Sequence, residues 1–363
     1  MSRLADWLGA HAPGHARAHP PGAAQRRAIA AIASCRTPAR GGRIYRCGQC
    51  AKSDFAYHSC HHRSCPRCGG NRTADWTHRQ CARLLPVPYF MVTFTVPAAL
   101  RALFVVEPKI MINLLFQQAA DSLQQIARQP RHLGAELGMI GVLHTWGRQM
   151  QYHPHLHFIV PGGGLRADRR KWRRSRRPDW LLPATALAGR FRTGMREALA
   201  QCLPAYHARV PEACWRSPWV VDIRHVGRGE AAVKYLARYV SRTAISDERI
   251  VSMDDSAVRF SYRDSATNQA KLCTLEADEF LRRYLQHVLP DGVHRVRYFG
   301  WEHPAAHRRR RRIETLLEVA IIVREPPEPL RWHLQCPHCH AFALVCVGTL
   351  AKHPRAPPSF RAA

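Results

Sequence analysis

Five cysteines fall within the 22 residues from Cys47 to Cys68, in "CGQCAKSDFAYHSCHHRSCPRC". No other stretch restricts the fold as strongly. The chain has 13 cysteines in all, but they are not spread like a disulfide framework. Clustered Cys-x-x-Cys knuckles favour metal, and the N-terminal stretch "MSRLADWLGAHAPGHARAHP" carries no apolar signal core. The knuckles Cys47-x2-Cys50 and Cys65-x2-Cys68 can wrap one tetrahedral Zn²⁺ in a closed, structural site. The spacing is short for an ordinary zinc ribbon, so a finger-like variant is expected. Cys60, His58, His61 and His62 are spare donors that leave the ligand set open, and an iron–sulfur cluster is the competing chemistry. A further pair, Cys336-x2-Cys339, needs two more ligands, for which His338, His340 and Cys346 are candidates.

Charge narrows the partners. Lys and Arg total 55 against 26 acids, a formal net charge of +29. A GC-rich genome would enrich Arg, yet it would not deplete acids. Such a field favours a polyanion, nucleic acid above all. With 46% hydrophobic residues the chain can bury real cores. No apolar run reaches the roughly 18 residues of a membrane span, so a cytoplasmic, nucleoid-associated protein without membrane contact is expected.

Hydrophobic periodicity places strands over 89–97, 138–146, 155–162 and 218–227, and helices over 107–129, 184–202 and 229–243. This order suits an α+β fold, a small antiparallel sheet with helices on one face. The expected units are four. Residues 1–84 form an N-terminal helix with the zinc-binding domain, and 85–250 the catalytic domain. Residues 251–324 form a β/α extension with a basic helix, and 325–363 a linker with a partly disordered Cys-x-x-Cys tail.

Within "YHPHLHFIV" (152–160), His155 and His157 share one strand face about 6–7 Å apart, close enough to hold one metal ion. His144, in the preceding strand "GVLHTW", is the expected third ligand. Gln149 and His153 are alternatives, with Pro154 expected to turn His153 away. In "GEAAVKYLARYVSRT", Val233, Leu236, Ala237 and Val240 make the apolar helical stripe. Tyr235 and Tyr239 lie well over 90° from it, on the side that also carries Arg238 and Arg242, with Lys234 nearby. Two phenols among arginines make a poor core face and a good anion-facing one. A tyrosine could attack a DNA phosphodiester if a metal offset the charge and arginines held the phosphate. The product, a 5′-phosphotyrosine and a free 3′-OH, would conserve the bond energy. The chain accordingly has no G-x-x-x-x-G-K-[ST] loop.

These residues resemble the HUH nucleases, and more narrowly the two-tyrosine transposases of the IS91 family. The motifs "CRTPARGGRIYRCGQC", "YHSCHHRSCPRC", "LHTWGRQMQYHPHLHFIVPGGG" and "YLARYVSRTAIS" occur in that order, followed by "EFLRRYLQHVLPDGVHRVRYFG", over roughly residues 25–300. The resemblance implies an RRM/ferredoxin-like HUH domain behind a small zinc-binding domain. It implies His155, His157 and, less directly, His144 as ligands of a catalytic Mg²⁺ or Mn²⁺, and Tyr235 and Tyr239 as nucleophiles. It matches Cys47, Cys50, Cys60, Cys65 and Cys68 to the zinc domain. The implied activity is rolling-circle transposition, with single-stranded element ends and target DNA as substrates and host replication enzymes as partners. The basic stretch "DRRKWRRSRRPDW" offers Trp172, Arg173 and Arg174 for stacking on bases and holding phosphates. A non-catalytic zinc-finger DNA-binding protein is the alternative. A zinc hydrolase built on "HLH" ranks lower, because Phe158, Ile159 and Val160 supply no carboxylate.

Overall fold

The computed structural model describes residues 3–68, 70–240, 244–264, 266–319 and 335–353. Helices α1 (Arg3–Ala18) and α2 (Ala23–Ala33) open the chain, followed by the hairpin β1 (Gly42–Cys47) and β2 (Ser53–Tyr57) and by α3 (Gly70–Cys81). Then come β3 (Tyr89–Thr95), α4 (Arg101–Val106), α5 (Pro108–Arg128), β4 (Gly138–Trp146) and β5 (Tyr152–Pro161). A short hairpin, β6 (Gly163–Leu165) and β7 (Trp172–Arg174), leads to α6 (Ala184–Cys202), α7 (Pro204–His207), α8 (Glu212–Arg216), β8 (Val220–His225) and α9 (Glu230–Val240). The last elements are β9 (Ile250–Met253), β10 (Ala257–Arg263), β11 (Ala270–Glu276), α10 (Ala277–Gln286), β12 (Val296–Gly300), α11 (His307–Leu316) and β13 (Leu344–Leu350).

The main sheet has the order β12-β4-β5-β3-β8, each neighbour antiparallel. Numbered from β3, four of these strands run 4-1-3-2, with α5 and α6 as the two crossovers. That is the split βαβ arrangement of ferredoxin-like folds. Alternation explains the two faces. Phe90, Phe94 and Phe158 point to the side covered by α5 and α6, where Phe94 meets Phe158 and Phe191 edge-on at 5.8 and 5.0 Å. Ile140, Val142 and Ile159 point the other way, against Val233, Leu236 and Ala237 of α9 and Trp76 of α3. The crossover helices thus share one face as expected, but α9 and α3 cover part of the other, so the sheet is covered on both sides. The apolar stripe predicted for α9 is what seats it there.

The outer units draw on distant parts of the chain. The N-terminal helices pack beside the cysteine loop, with Leu4, Trp7, Leu8 and Ile32 in one cluster with Cys35 and Cys65 and with Phe260, Phe280 and Leu285 of the extension. The extension also supplies β12, which completes the main sheet. The C-terminal tail is ordered over its described part, because β13 pairs antiparallel with β1 from Gly42↔Leu350 to Cys47↔Leu344.

Gly300 pins the edge of the sheet. It sits at φ +59°, and a Cβ there would fall 1.8 Å from the Leu137 carbonyl oxygen. Both the left-handed backbone and the clash penalise a side chain. Gly300→Ala is expected to destabilise the fold by at least about 2 kcal/mol, read as a lower denaturant midpoint. An unchanged midpoint would show the edge to be plastic.

Candidate active site and metal centres

The strand register assembles the histidines. His144 lies directly opposite His155, and Val142 opposite His157, so His144, His155 and His157 share one face of the β4–β5 hairpin. Pro154 does not break the strand. The register shifts there, with His153 and Pro154 facing a single residue of β4, and a bulge is where a residue without an N–H is tolerated. The three histidines bring ring nitrogens within 4.8 Å of one another. His153 stays outside the trio, with its ring 5.0 Å from that of His155. The Gln149 amide is engaged elsewhere, donating to the Tyr262 hydroxyl at 2.8 Å.

The hydrogen bonds set the tautomers. The His155 Nδ1–H donates to the His153 carbonyl at 2.7 Å, leaving Nε2 with its lone pair. The His144 Nδ1–H donates to that Nε2 at 2.9 Å, so His144 Nε2 is a buried acceptor without a partner. His157 Nδ1 is held by the Thr93 hydroxyl at 2.9 Å. Burial drives all three pKa values down. His155 falls to about 3, His157 to about 4 despite the opposing charge of Asp222, and His144 well below the ordinary value. Neutral imidazoles with converging ring nitrogens, one of them without a partner, are a donor set that fits a divalent ion. Three nitrogen ligands suit Mn²⁺ or Zn²⁺ better than Mg²⁺.

Helix α9 presents both tyrosines to this cluster. The Tyr239 ring lies 4.1 Å from the His144 ring, and Tyr235 stands edge-on to His157 at 6.3 Å. The two phenol rings are 5.2 Å apart, and Tyr235 is 40% exposed. Two residues that the sequence reading missed hold the arrangement. One is Thr93, described above. The other is the buried Arg295, which donates to the Tyr239 carbonyl at 3.0 Å while its guanidinium lies 5.6 Å from the Trp146 ring. It thereby anchors the C-terminal turn of α9.

Histidines and tyrosines open into a cleft of about 930 Å³. Arg148 and Arg249 line one side, and Cys65, Pro66 and Arg67 of the cysteine loop line another. That loop is fixed to the extension, since Arg63 donates to the carbonyls of Leu289, Pro290 and Val293. Arg249 buttresses its side by donating to the carbonyls of Ser261 and Arg148.

The proposed nucleic-acid contacts divide. Lys234 is exposed on α9 and paired with Glu230 at 3.8 Å. Arg242 lies outside the described residues, as does the side chain of Arg238. Arg173 and Arg174 are exposed on β7, but Gly163, which pairs with Arg174, lies six residue steps beyond His157, roughly 20 Å of extended chain. Trp172 sits differently from its two arginine neighbours. Its ring is partly buried and meets Trp301 at 5.8 Å, because β7 turns this side chain inward over Gly163.

The cysteines form two groups rather than one. Cys35, Cys60, Cys65 and Cys68 converge, and separately Cys47, Cys50, Cys336 and Cys339. Strand length is the reason. The Cys47/Cys50 knuckle caps one end of the β1–β2 hairpin, and Cys35 and Cys60 flank the other, about 17 Å away along five residues of strand. Cys35 was missed because no knuckle marks it, although the unpaired Cys60 called for a fourth ligand. The proposed spare donors His58, His61 and His62 belong to neither group.

A family described as "Transposase zinc-binding domain" matches residues 8–96, and one described as "Putative transposase" matches residues 138–311. A curated protein of Sinorhizobium fredii, titled as a putative transposase, is 40% identical over 77% of this chain and 74% of its own length. The transposase for insertion sequence element IS801 of Pseudomonas savastanoi pv. phaseolicola is 31% identical over 75% of this chain and 69% of its own. No solved structure matches. The class is thus the HUH transposases with an N-terminal zinc-binding domain. Within it, the chain belongs to the IS91/IS801 family.

Proposed function

We propose that this transposase nicks and rejoins single-stranded DNA through a tyrosine–phosphate bond. The observation that carries this reading is the placement of two tyrosines against a three-histidine cluster at the floor of a cationic cleft. A tyrosine oxygen attacks the scissile phosphorus and gives up its proton, and the DNA 3′-oxygen leaves and takes one up. One phosphodiester is thereby exchanged for another, and no nucleotide cofactor is needed. A divalent ion held by His144, His155 and His157, Mg²⁺ or Mn²⁺, would polarise the phosphate and ease departure of the 3′-oxygen. Arg148 offers a charge-assisted contact to the phosphate, and Arg295 keeps α9 in register with the histidines. The second tyrosine allows a second cleavage, on the target strand, before the first bond is resolved. Host replication enzymes then copy the displaced strand, within the nucleoid. Arg173 and Arg174 would track the backbone farther out.

Labelled single-stranded DNA carrying the element ends, incubated with Mg²⁺ or Mn²⁺, should yield a denaturant-stable adduct on the new 5′-phosphate end at the cut. Tyr235→Phe plus Tyr239→Phe should remove the adduct while leaving DNA binding intact. An adduct unchanged in that double variant would refute the reading, and DNA binding with no adduct in the parent chain would favour a non-catalytic DNA-binding protein.

A further inference from the structure

The zinc-binding family covers residues 8–96. It therefore contains the whole of the Cys35, Cys60, Cys65, Cys68 group but only half of the other. We propose that the chain holds two separate four-thiolate zinc ions, and that the second, on Cys47, Cys50, Cys336 and Cys339, makes the C-terminal residues 335–353 part of the N-terminal metal domain.

Sulfur spacing is the first argument. Cys47 Sγ lies 3.6 Å from Cys339 Sγ, and Cys50 Sγ 3.7 Å from Cys336 Sγ. A disulfide requires about 2.05 Å. A tetrahedron with Zn–S of about 2.3 Å has S···S edges of about 3.8 Å. The other group shows the same spacing, with Cys68 Sγ 3.5 Å from Cys35 Sγ and 3.6 Å from Cys60 Sγ.

The second argument is that the two knuckles are copies of one another, although 286 residues separate Cys50 from Cys336. In the first, the Ala51 amide donates to the Cys47 carbonyl at 3.0 Å, and the Cys47 amide to the Lys52 carbonyl at 2.9 Å. In the second, the His340 amide donates to the Cys336 carbonyl at 2.9 Å, and the Cys336 amide to the Ala341 carbonyl at 2.8 Å. Ala51 and His340, each directly after the second cysteine, both sit at φ +59°. The left-handed region is unfavourable for either residue, so something must hold the backbone there. A shared metal turns both chains in the same way. The knuckles also touch, since the Gly48 amide donates to the Ala343 carbonyl at 2.8 Å. From there β13 runs along β1 and completes the three-stranded sheet.

The cysteine pairs do not depend on one another for the cleft. Cys65 lines it, whereas the second group sits at the far tip of the hairpin. Binding converts four thiols to thiolates and releases four protons, and it closes the chain between its two ends. The site can form only once Cys339 has been made, so a C-terminally truncated chain loses one of its two ions.

The test is zinc stoichiometry. The full chain carrying His155→Ala plus His157→Ala, so that the histidine cluster takes up no zinc, is reduced, dialysed and treated with a mercurial, and the released zinc is titrated with a chromogenic chelator. Two zinc ions per chain are expected, falling to one when Cys336→Ser plus Cys339→Ser is added. Alkylation of the chain under slow chelation gives a readout that does not depend on a cysteine variant folding. Cys47, Cys50, Cys336 and Cys339 should become labelled as one group, and Cys35, Cys60, Cys65 and Cys68 as another. One zinc in the parent, two zinc ions kept in the Cys336→Ser plus Cys339→Ser variant, or immediate labelling of Cys336 and Cys339 in the zinc-loaded chain would each overturn the proposal.

Discussion

Alanine at His155 and His157 together is expected to reduce metal-dependent nicking about a thousandfold or more, a loss of about 4 kcal/mol of transition-state stabilisation. The size follows from the task assigned to the site, since charge developing on the phosphate and leaving oxygen would lose its main counter-charge. His144→Ala should act in the same direction, because its Nε2 is buried with no other partner. Thr93→Val probes the layer behind. It removes the hydroxyl that orients His157, and loss of such a partner typically weakens metal binding about 10–100-fold. Excess Mn²⁺ should therefore restore Thr93→Val but not the double histidine variant. Metal titration by calorimetry and nicking across a metal series would read both effects. If the double variant nicked at the parental rate with the parental metal dependence, these histidines would not be the metal site.

The parts of the site that were legible in the sequence are those fixed by local geometry. The two-residue period of a strand puts His155 and His157 on one face, and one hairpin turn brings His144 opposite them. The wheel of α9 separated Tyr235 and Tyr239 from the buried stripe, and that stripe is the surface that docks the helix on the sheet. What could not be read depends on which distant segments meet. The knuckles at Cys47 and Cys65 look like one site when only the 14 intervening residues are counted. A rigid hairpin between them keeps them apart, and the missing ligands come from Cys35 and from Cys336 and Cys339. Trp172 shows the same limit. Cations on both sides suggest a base-stacking surface, and only the fold shows that Arg173 is turned outward while the indole packs against Trp301. Arg295 carried no local signal at all, since its role exists only where β12 passes beneath the end of α9.

Acidification from pH 7 to pH 5 is expected to lower the stability of the metal-free protein steeply, before any carboxylate contributes. His155 and His157 are depressed by burial to about 3 and about 4, and the wholly buried His287 also to about 4. In the unfolded chain each titrates near 6.5. Above that value both states are neutral and the histidines make no difference. Below it the unfolded chain takes up protons that the native protein refuses, so stability falls until pH reaches the folded values. Each histidine then costs about 1.4 kcal/mol per pH unit across that window. Glu279, held down to about 2 chiefly by Arg282, becomes costly only as pH drops below the ordinary carboxylate value of about 4.3, so pH 5 to 6.5 leaves that carboxylate out. His287 bridges the Thr145 hydroxyl and the Met150 carbonyl. His287→Gln can keep both bonds while removing one proton site, and it should flatten the slope by about 1.4 kcal/mol per pH unit. Denaturant unfolding of chelator-treated protein at half-unit pH steps measures this directly. A midpoint that stays level between pH 6.5 and 5 would mean that these imidazoles are reached by water and proton in the native state, and that the cluster is not the dry, neutral donor set on which metal capture depends.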